Sequence, residues 1–446
     1  MGGGTIQERF AVQFVDGCYN TTGSGEDMGT YSSLALEPNT NSVNLSYFDF
    51  NNGDLRYAYK EDNSNVWYTM SIDGSGTNVG RFTSLALDNS GNRHISYKFT
   101  DNKDLKYAYG PSGGTNGSGQ DISWYLFDVD VSTNVGNYTS IFIDNSGNRH
   151  ISYTNTDVPR NLKYAYGPAG NTTINWHLYN IEEFSGEITT TYATSLYIDT
   201  SGHRHIAYLD LCNNESMVKY AFAQDGSGQL SWNLYEIEKF GNNSTLGVSL
   251  SLDISKNIHI AYYDSSNDDL KYAYAPNGTP GADIIWTINS IDTLGDVGIY
   301  PSLAIDPTTQ EPSITYFKQT SLNPERNEIR IATHKSGNWT RGILDGSLND
   351  IFENGNSQLK IDEDGDKHLS YYDYFGSQGR IRYATNKPPI LYGDSCPTIE
   401  EIEFTPISID ISSQAFNISV DPSFYLANRI EQKPFDLSHH SVQLCP

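Results

Sequence analysis

The chain has 446 residues, enough for two or three average domains or one large repeat assembly. It carries 28 Lys and Arg against 54 Asp and Glu, a formal net charge of −26, which argues against nucleic acid and anionic membrane surfaces as partners because both would repel it. No apolar run approaches the length needed to span a bilayer, and four cysteines are too few for a disulfide scaffold.

The opening "MGGGTIQERF" has no apolar h-region and is not read as a signal peptide. It is followed by "FAVQFVD" (10–16), in which an aromatic precedes an acid by six residues. A repeat then begins. Aligned on the acid that ends its first strand, it recurs at Glu37, Asp88, Asp144, Asp199, Asp253, Asp306 and Asp362, in steps of 51 to 56 residues. Seven units of that size match four-stranded propeller blades.

Each unit carries four strand signals. Strand A is "SLALD"-like and strand B is "HISY"-like, with "NLSY" from Asn44, "SITY" from Ser313 and "HLSY" from His368 as variants. Strand C is "DLKYAY"-like. Strand D opens on a tryptophan and ends on an acid: Trp67 to Asp73, Trp124 to Asp130, Trp176 to Glu182, Trp232 to Glu238, Trp286 to Asp292 and Trp339 to Asp345. The seventh unit has strands A to C and no strand D. The segment 8–17 is in the register of the missing strand. The expected fold is therefore all-β: a seven-bladed β-propeller over 1–386, closed by pairing the first strand with the last blade, which protects the sheet edges. A C-terminal tail, 387–446, follows the boundary "NKPP" and is expected to form a small β segment.

Five blades place a histidine at one position of strand B: His94, His150, His205, His259 and His368. A catalytic histidine is needed once, at one geometry. Five copies in separate blades are expected to be structural, each accepting one hydrogen bond and donating another. The tryptophans are assigned to blade packing. The arrangement resembles the Asp-His-Ser/Thr-Trp network of WD-type propeller blades. Strand C carries a cation in every blade (Arg56, Lys106, Lys163, Lys219, Lys271, Arg330, Arg382); once buried it must be paired, with the acid ending strand A or strand D as partner.

Three further groups are candidates for binding. The loops between strands B and C are acidic, and Asp49, Asp54, Asp101, Asp104, Asp210, Asp264 and Asp373 are expected on a rim facing cations, sugar hydroxyls or basic protein patches. The turn "DEDGD" sets Asp362, Asp364 and Asp366 at alternate positions; it reads either as an ordinary tight turn or as a Ca²⁺ site of hard oxygen ligands. Sequons at Asn116, Asn137, Asn171, Asn242, Asn277 and Asn338 are glycosylation candidates.

The unit "SLALDxxGNxHISYxDxxxxDLKYAY" resembles repeats of secreted or surface-exposed microbial propeller proteins, related loosely to BNR and sialidase-like propellers. The resemblance covers about residues 8–386. It implies the fold and an extracellular or cell-surface location. The arginine triad and Tyr/Glu pair of sialidases do not stand out here, the Asp-box spacing is absent, and the His and Tyr of propeller polysaccharide lyases are not assignable. The tail from "PTIEEIEFTPISIDISSQAFNISVDP" resembles the opening of an Ig-like surface module, with Cys396 and Cys445 placed to staple it.

Because the distinctive residues all recur, the leading expectation is a non-enzymatic binding or assembly module for a glycan or protein. It would have no membrane insertion, and no cofactor beyond Ca²⁺ at the "DEDGD" turn. A carbohydrate-active enzyme (polysaccharide lyase or glycoside hydrolase) is the first alternative. A self-assembling subunit of a surface lattice or filament is the second. Blade six departs most from its siblings, with Arg326, Arg330 and His334 in "SLNPERNEIRIATHKSGNW".

Overall fold

Each unit turns its alternating pattern into a four-stranded antiparallel sheet, and the computed structural model contains seven of them and, among the described residues, no helix. The structure describes residues 10–16, 27–62, 64–74, 78–112, 122–170, 173–184, 193–212, 215–225, 230–241, 246–276, 284–319, 327–348, 356–375 and 378–387. The sheets are the blades of a seven-bladed β-propeller. Blades 1 to 6 use their own strands A to D in order. Blade 7 takes strands A to C from 357–385, and its strand D is Ala11–Asp16, paired antiparallel with Gln378–Thr385. Phe14 faces Arg382 in that register, and the guanidinium lies 5.0 Å from the ring centroid. The propeller unit extends through Lys387. The expected Ig-like module and the Cys396–Cys445 staple lie outside the described residues.

Register explains the packing. In blade 2, His94 pairs with Tyr109, Ser96 with Tyr107 and Tyr97 with Lys106. Cross-strand partners share a face, so histidine and tyrosines stack on one side, and Ile95, Ala108 and Tyr97 occupy the other.

The blades are joined by a brace that recurs at all seven junctions. The acid ending strand D of one blade accepts a hydrogen bond from the strand B tyrosine of the next and pairs with that blade's strand C cation. The tyrosine–acid pairs are Tyr47–Asp16, Tyr97–Asp73, Tyr153–Asp130, Tyr208–Glu182, Tyr262–Glu238, Tyr316–Asp292 and Tyr371–Asp345, at 2.5 to 2.9 Å. The cations Arg56, Lys106, Lys163, Lys219, Lys271, Arg330 and Arg382 approach the same acids to 2.6–3.3 Å. The seventh brace uses Asp16, so the closing strand carries the same chemistry as the other six D strands.

In the five blades that carry it, the strand B histidine lies between a tyrosine and an acid. Nδ1 lies 2.6–2.7 Å from a strand C tyrosine hydroxyl (Tyr107, Tyr164, Tyr220, Tyr272, Tyr383). Nε2 faces the acid ending strand A, at 3.2 Å in blades 3 and 7. Asn44 accepts the equivalent bond from Tyr57. In blades 2 to 4 the residue just before the histidine is an arginine: Arg93, Arg149 and Arg204 donate from Nε to Tyr57, Tyr107 and Tyr164 of the preceding blade at 3.0–3.2 Å.

The WD-type resemblance fails in its serine and tryptophan. Ser46, Ser96 and Ser152 bond Thr83, Thr139 and Thr194 of the next blade at 2.7–2.8 Å. Trp67, Trp124, Trp176, Trp232, Trp286 and Trp339 each pack edge-on against a strand C tyrosine of the preceding blade, with centroids 5.2–5.6 Å apart. They bridge blades, and five of them pack on the tyrosine that bonds a histidine Nδ1 without bonding the imidazole themselves.

Burial holds all five imidazoles below the ordinary histidine pKa, although the facing carboxylates oppose it. Burial also pushes Asp144 upward, but bonds from His150 and Asn148 outweigh it and bring the carboxyl to about 2. A depressed folded pKa means the unfolded chain binds more protons. Stability is complete above the unfolded histidine value, about 6.5, and is lost as pH falls below it. The melting temperature is therefore expected to drop between pH 7 and pH 5. Replacing one histidine by asparagine, as blade 1 does naturally, is expected to flatten that slope in a melt series across pH.

Candidate functional site

Four blades carry an additional motif just ahead of strand A: "DMGTYSSL" from Asp27, "NVGRFTSL" from Asn78, "NVGNYTSI" from Asn134 and "DVGIYPSL" from Asp296. In these blades strand A is bulged against strand B, with register shifts between Met28 and Ser33, Val79 and Ser84, Asn137 and Ser140, and Val297 and Ser302. Blades 4, 5 and 7 pair without a shift. The glycine allows close approach to the preceding blade: a Cβ on Gly80, at φ 108°, would lie 2.7 Å from the Leu55 Cα.

The bulge re-aims an aromatic side chain. Tyr31, Phe82, Tyr138 and Tyr300 have φ of 56°, 55°, 51° and 49°, a left-handed conformation that bulky residues rarely adopt. Each such residue costs about 1–3 kcal/mol, and such residues concentrate at functional sites. All four line a cavity of about 410 Å³ in the central channel. Tyr31 and Phe82 have centroids 4.5 Å apart, and Phe82 and Tyr138 4.4 Å. Asn356 of blade 7 continues the arc and accepts a bond from the Ser32 amide at 2.8 Å. Blades 4 and 5 place Ala193 and Gly247 at the same position. The result is an aromatic half-collar with a gap, which breaks the pseudo-sevenfold symmetry at one end of the channel.

The residue after the strand B tyrosine anchors the collar from the preceding blade. Tyr372 donates to Asp27 at 2.7 Å, Lys98 to Asn134 at 2.7 Å and to Asn137 at 2.6 Å, and Tyr263 to Asp296 at 2.9 Å. At the fourth position the Phe48 ring lies 5.4 Å from the Arg81 guanidinium. Burial brings Lys98 down to about 8 and pushes Asp27 and Asp296 upward against the hydrogen bonds from their tyrosines. The three blades without a collar aromatic are preceded by Thr154, Leu209 and Phe317, which lack these contacts among the described residues.

Four of the seven aspartates expected on the rim turn inward instead. Asp49, Asp210, Asp264 and Asp373 are buried. Asp49 accepts the amides of Asn51 and Asn52 at 3.1 and 3.0 Å, and Asp264 that of Ser266 at 3.0 Å. Asp210, Asp264 and Asp373 pair with the strand C cations Lys219, Lys271 and Arg382. These carboxylates close their own turns and share the brace cations. Asp54 accepts from Ser71 at 3.0 Å; Asp54 and Asp104 are half-buried, and Asp101 is exposed.

The "DEDGD" turn repeats the ordinary one. Asp362 is buried and accepts the amides of Asp364 and Asp366 at 3.0 and 2.8 Å, just as Asp88 accepts those of Ser90 and Asn92. Among the described residues no group of three or more His, Cys, Asp or Glu is placed to hold a metal ion. Of the sequons, Asn137 is buried and bound to Lys98, which leaves no room for a glycan there. Asn338 is exposed. Asn116, Asn171, Asn242 and Asn277 lie outside the described residues, as does Arg326. Arg330 belongs to a brace, and the half-buried His334 meets Trp339 edge-on, with ring centroids 5.3 Å apart. Among the described residues no helix is long and apolar enough to cross a membrane.

No protein-family model and no curated protein matches this chain. Solved structures do. An ulvan lyase of polysaccharide lyase family PL25 is 12% identical, with a TM-score of 0.53, covering 80% of this chain and 93% of its own. A structure of such a lyase bound to -[GlcA(1-4)Rha3S]- is 11% identical, again at 0.53, with the same coverage. The NanB sialidase of Streptococcus pneumoniae is 10% identical at 0.44, covering 84% of this chain and 70% of its own. At such identities the likeness is one of fold.

Proposed function

We propose that this protein is a carbohydrate-active propeller that takes a glycan at the aromatic mouth of its central channel. The observation that carries the reading is the half-collar of Tyr31, Phe82, Tyr138 and Tyr300. Four bulky residues are held in a strained conformation, where Ala193 and Gly247 show that the fold itself needs no ring. Aromatic faces suit the apolar faces of pyranose rings, and the phenols of Tyr31, Tyr138 and Tyr300 are the proton-transfer groups the collar offers. The cavity has the volume of a typical ligand site. The fold shared with a polysaccharide lyase supports a carbohydrate-active enzyme ahead of a purely binding module, and an extracellular or cell-surface setting where polysaccharides are met.

The test pairs binding with turnover on a panel of polysaccharides. Phe82→Gly and Tyr138→Gly, which copy the glycine that blade 5 carries naturally at Gly247, are each expected to weaken glycan binding about tenfold, equivalent to about 1.4 kcal/mol, with melting temperatures near that of the parent. Product release from the parent chain marks an enzyme, and saturable binding without product marks a lectin-like module. Unchanged affinity in both variants would remove the collar from the site.

A further inference from the structure

Next to the collar the same cavity is lined by a ring of serines: Ser33, Ser84, Ser140, Ser195, Ser249 and Ser302, with Gln358 in blade 7. Each serine Oγ accepts the strand A amide of the next blade. Leu85, Ile141, Leu196, Leu250, Leu303 and Leu359 donate in turn, at 2.9–3.1 Å. An oxygen engaged as acceptor leaves its own proton to donate. The ring therefore presents hydroxyl donors along the channel, two residues past the collar position in each strand A.

Two residues further along strand A, the blades place Phe142, Tyr197, Ser251, Ala304 and Lys360 against the same cavity. Lys360 is the one charged side chain among the described residues lining it, in a chain of net charge −26. It has no carboxylate partner among the described residues. Its side chain is open to the solvent of the cavity that strand A of all seven blades surrounds. An ammonium has three donors and no acceptor. With the serine hydroxyls it makes a cavity wall rich in donors, with no carboxylate among the described residues lining it; Asp199 and Asp253 line the adjoining pocket.

The geometry points to an anion-accepting subsite inside the channel, formed by Lys360 and the serine ring, that receives a carboxylate or sulfate group. The subsite is new relative to the collar. It rests on the proposed function only for the carrier of that anion, which is then an acidic sugar at the end of the glycan entering the mouth. A free inorganic anion has the same chemistry and is the other source. Charge-assisted hydrogen bonds from Lys360 would favour either.

Isothermal titration of the parent chain, Lys360→Met and Lys360→Arg separates these. The probes are a uronate-containing oligosaccharide, a neutral oligosaccharide of equal length, and sodium sulfate, with thermal melts confirming that each variant is folded. The parent is expected to bind the acidic oligosaccharide at least tenfold more tightly than the neutral one. Lys360→Met should erase that preference while keeping neutral binding, and Lys360→Arg should restore it. Equal affinity of the parent for both oligosaccharides, or a preference surviving in Lys360→Met, overturns the subsite and leaves the collar reading standing. If neither oligosaccharide binds, the collar reading fails. Sulfate then decides the subsite by itself: binding lost in Lys360→Met upholds it, and no sulfate binding overturns it. A Lys360→Met chain that does not fold passes the decision to Lys360→Gln, read the same way.

Discussion

A chain lacking residues 1–16 is expected to lose its cooperative melt and to self-associate. The strand Ala11–Asp16 is the outer strand of blade 7, and removing it uncovers the whole edge of Gln378–Thr385. An exposed edge of unpaired amides and carbonyls is a template for another chain. The deletion also takes Asp16 from Tyr47 and Arg56, leaving Arg56, among the described residues, with only the Asp49 carboxylate at 3.8 Å, and strips the buried Val15 from the core. Circular dichroism melts with size-exclusion chromatography check this, and a synthetic peptide of residues 8–17 added in trans is expected to restore part of the transition. A truncated chain that melts as one monomeric unit at the parent temperature would show that the ring does not depend on this seam.

Asp73→Ala is expected to be strongly destabilising. Asp73 is 1% exposed, accepts the Tyr97 hydroxyl at 2.8 Å and pairs with Lys106 at 3.3 Å. Without it the half-buried Lys106 loses the carboxylate it pairs with and the Tyr97 hydroxyl loses its acceptor, which together cost up to about 3–5 kcal/mol. The double variant Asp73→Ala/Lys106→Met removes the stranded charge as well and is expected to recover most of that loss in a denaturant titration. Asp16→Asn at the equivalent place should cost less, because the Asp16 side chain is 16% exposed and water screens it.

Much of this architecture is legible in the residues alone, and the limits are instructive. The seven-unit period, the four strands per unit and the seam all follow from spacing, because strand alternation and the aromatic-to-acid register of strand D survive divergence. The partner of the strand C cation does not follow. Acids end both strand A and strand D at fixed spacing, and only the junction shows that the strand D acid of the neighbouring blade takes it. Asp49 and Asp264 look exposed because polar residues follow them, yet each ends a strand and caps its own turn amides, which draws it inward. The collar is present in the sequence as Gly-x-aromatic ahead of Ser-Leu, but units aligned from "SL" begin just after it. Its meaning also rests on backbone angles near φ 50°, which composition does not reveal. Lys360 is one lysine in a strand; its isolation appears only once seven strands surround a channel.

The brace has a consequence for how such a ring can grow or shrink. Its acid belongs to one sheet, and its tyrosine and cation belong to the next, so a sheet lifted out whole leaves two severed partnerships behind. A stretch running from strand D through the following A, B and C, such as 67–110 or 124–167, holds acid, tyrosine and cation together. Duplication or deletion of that cassette preserves every partnership, which makes it the heritable module of the wheel, although the visible module is the sheet.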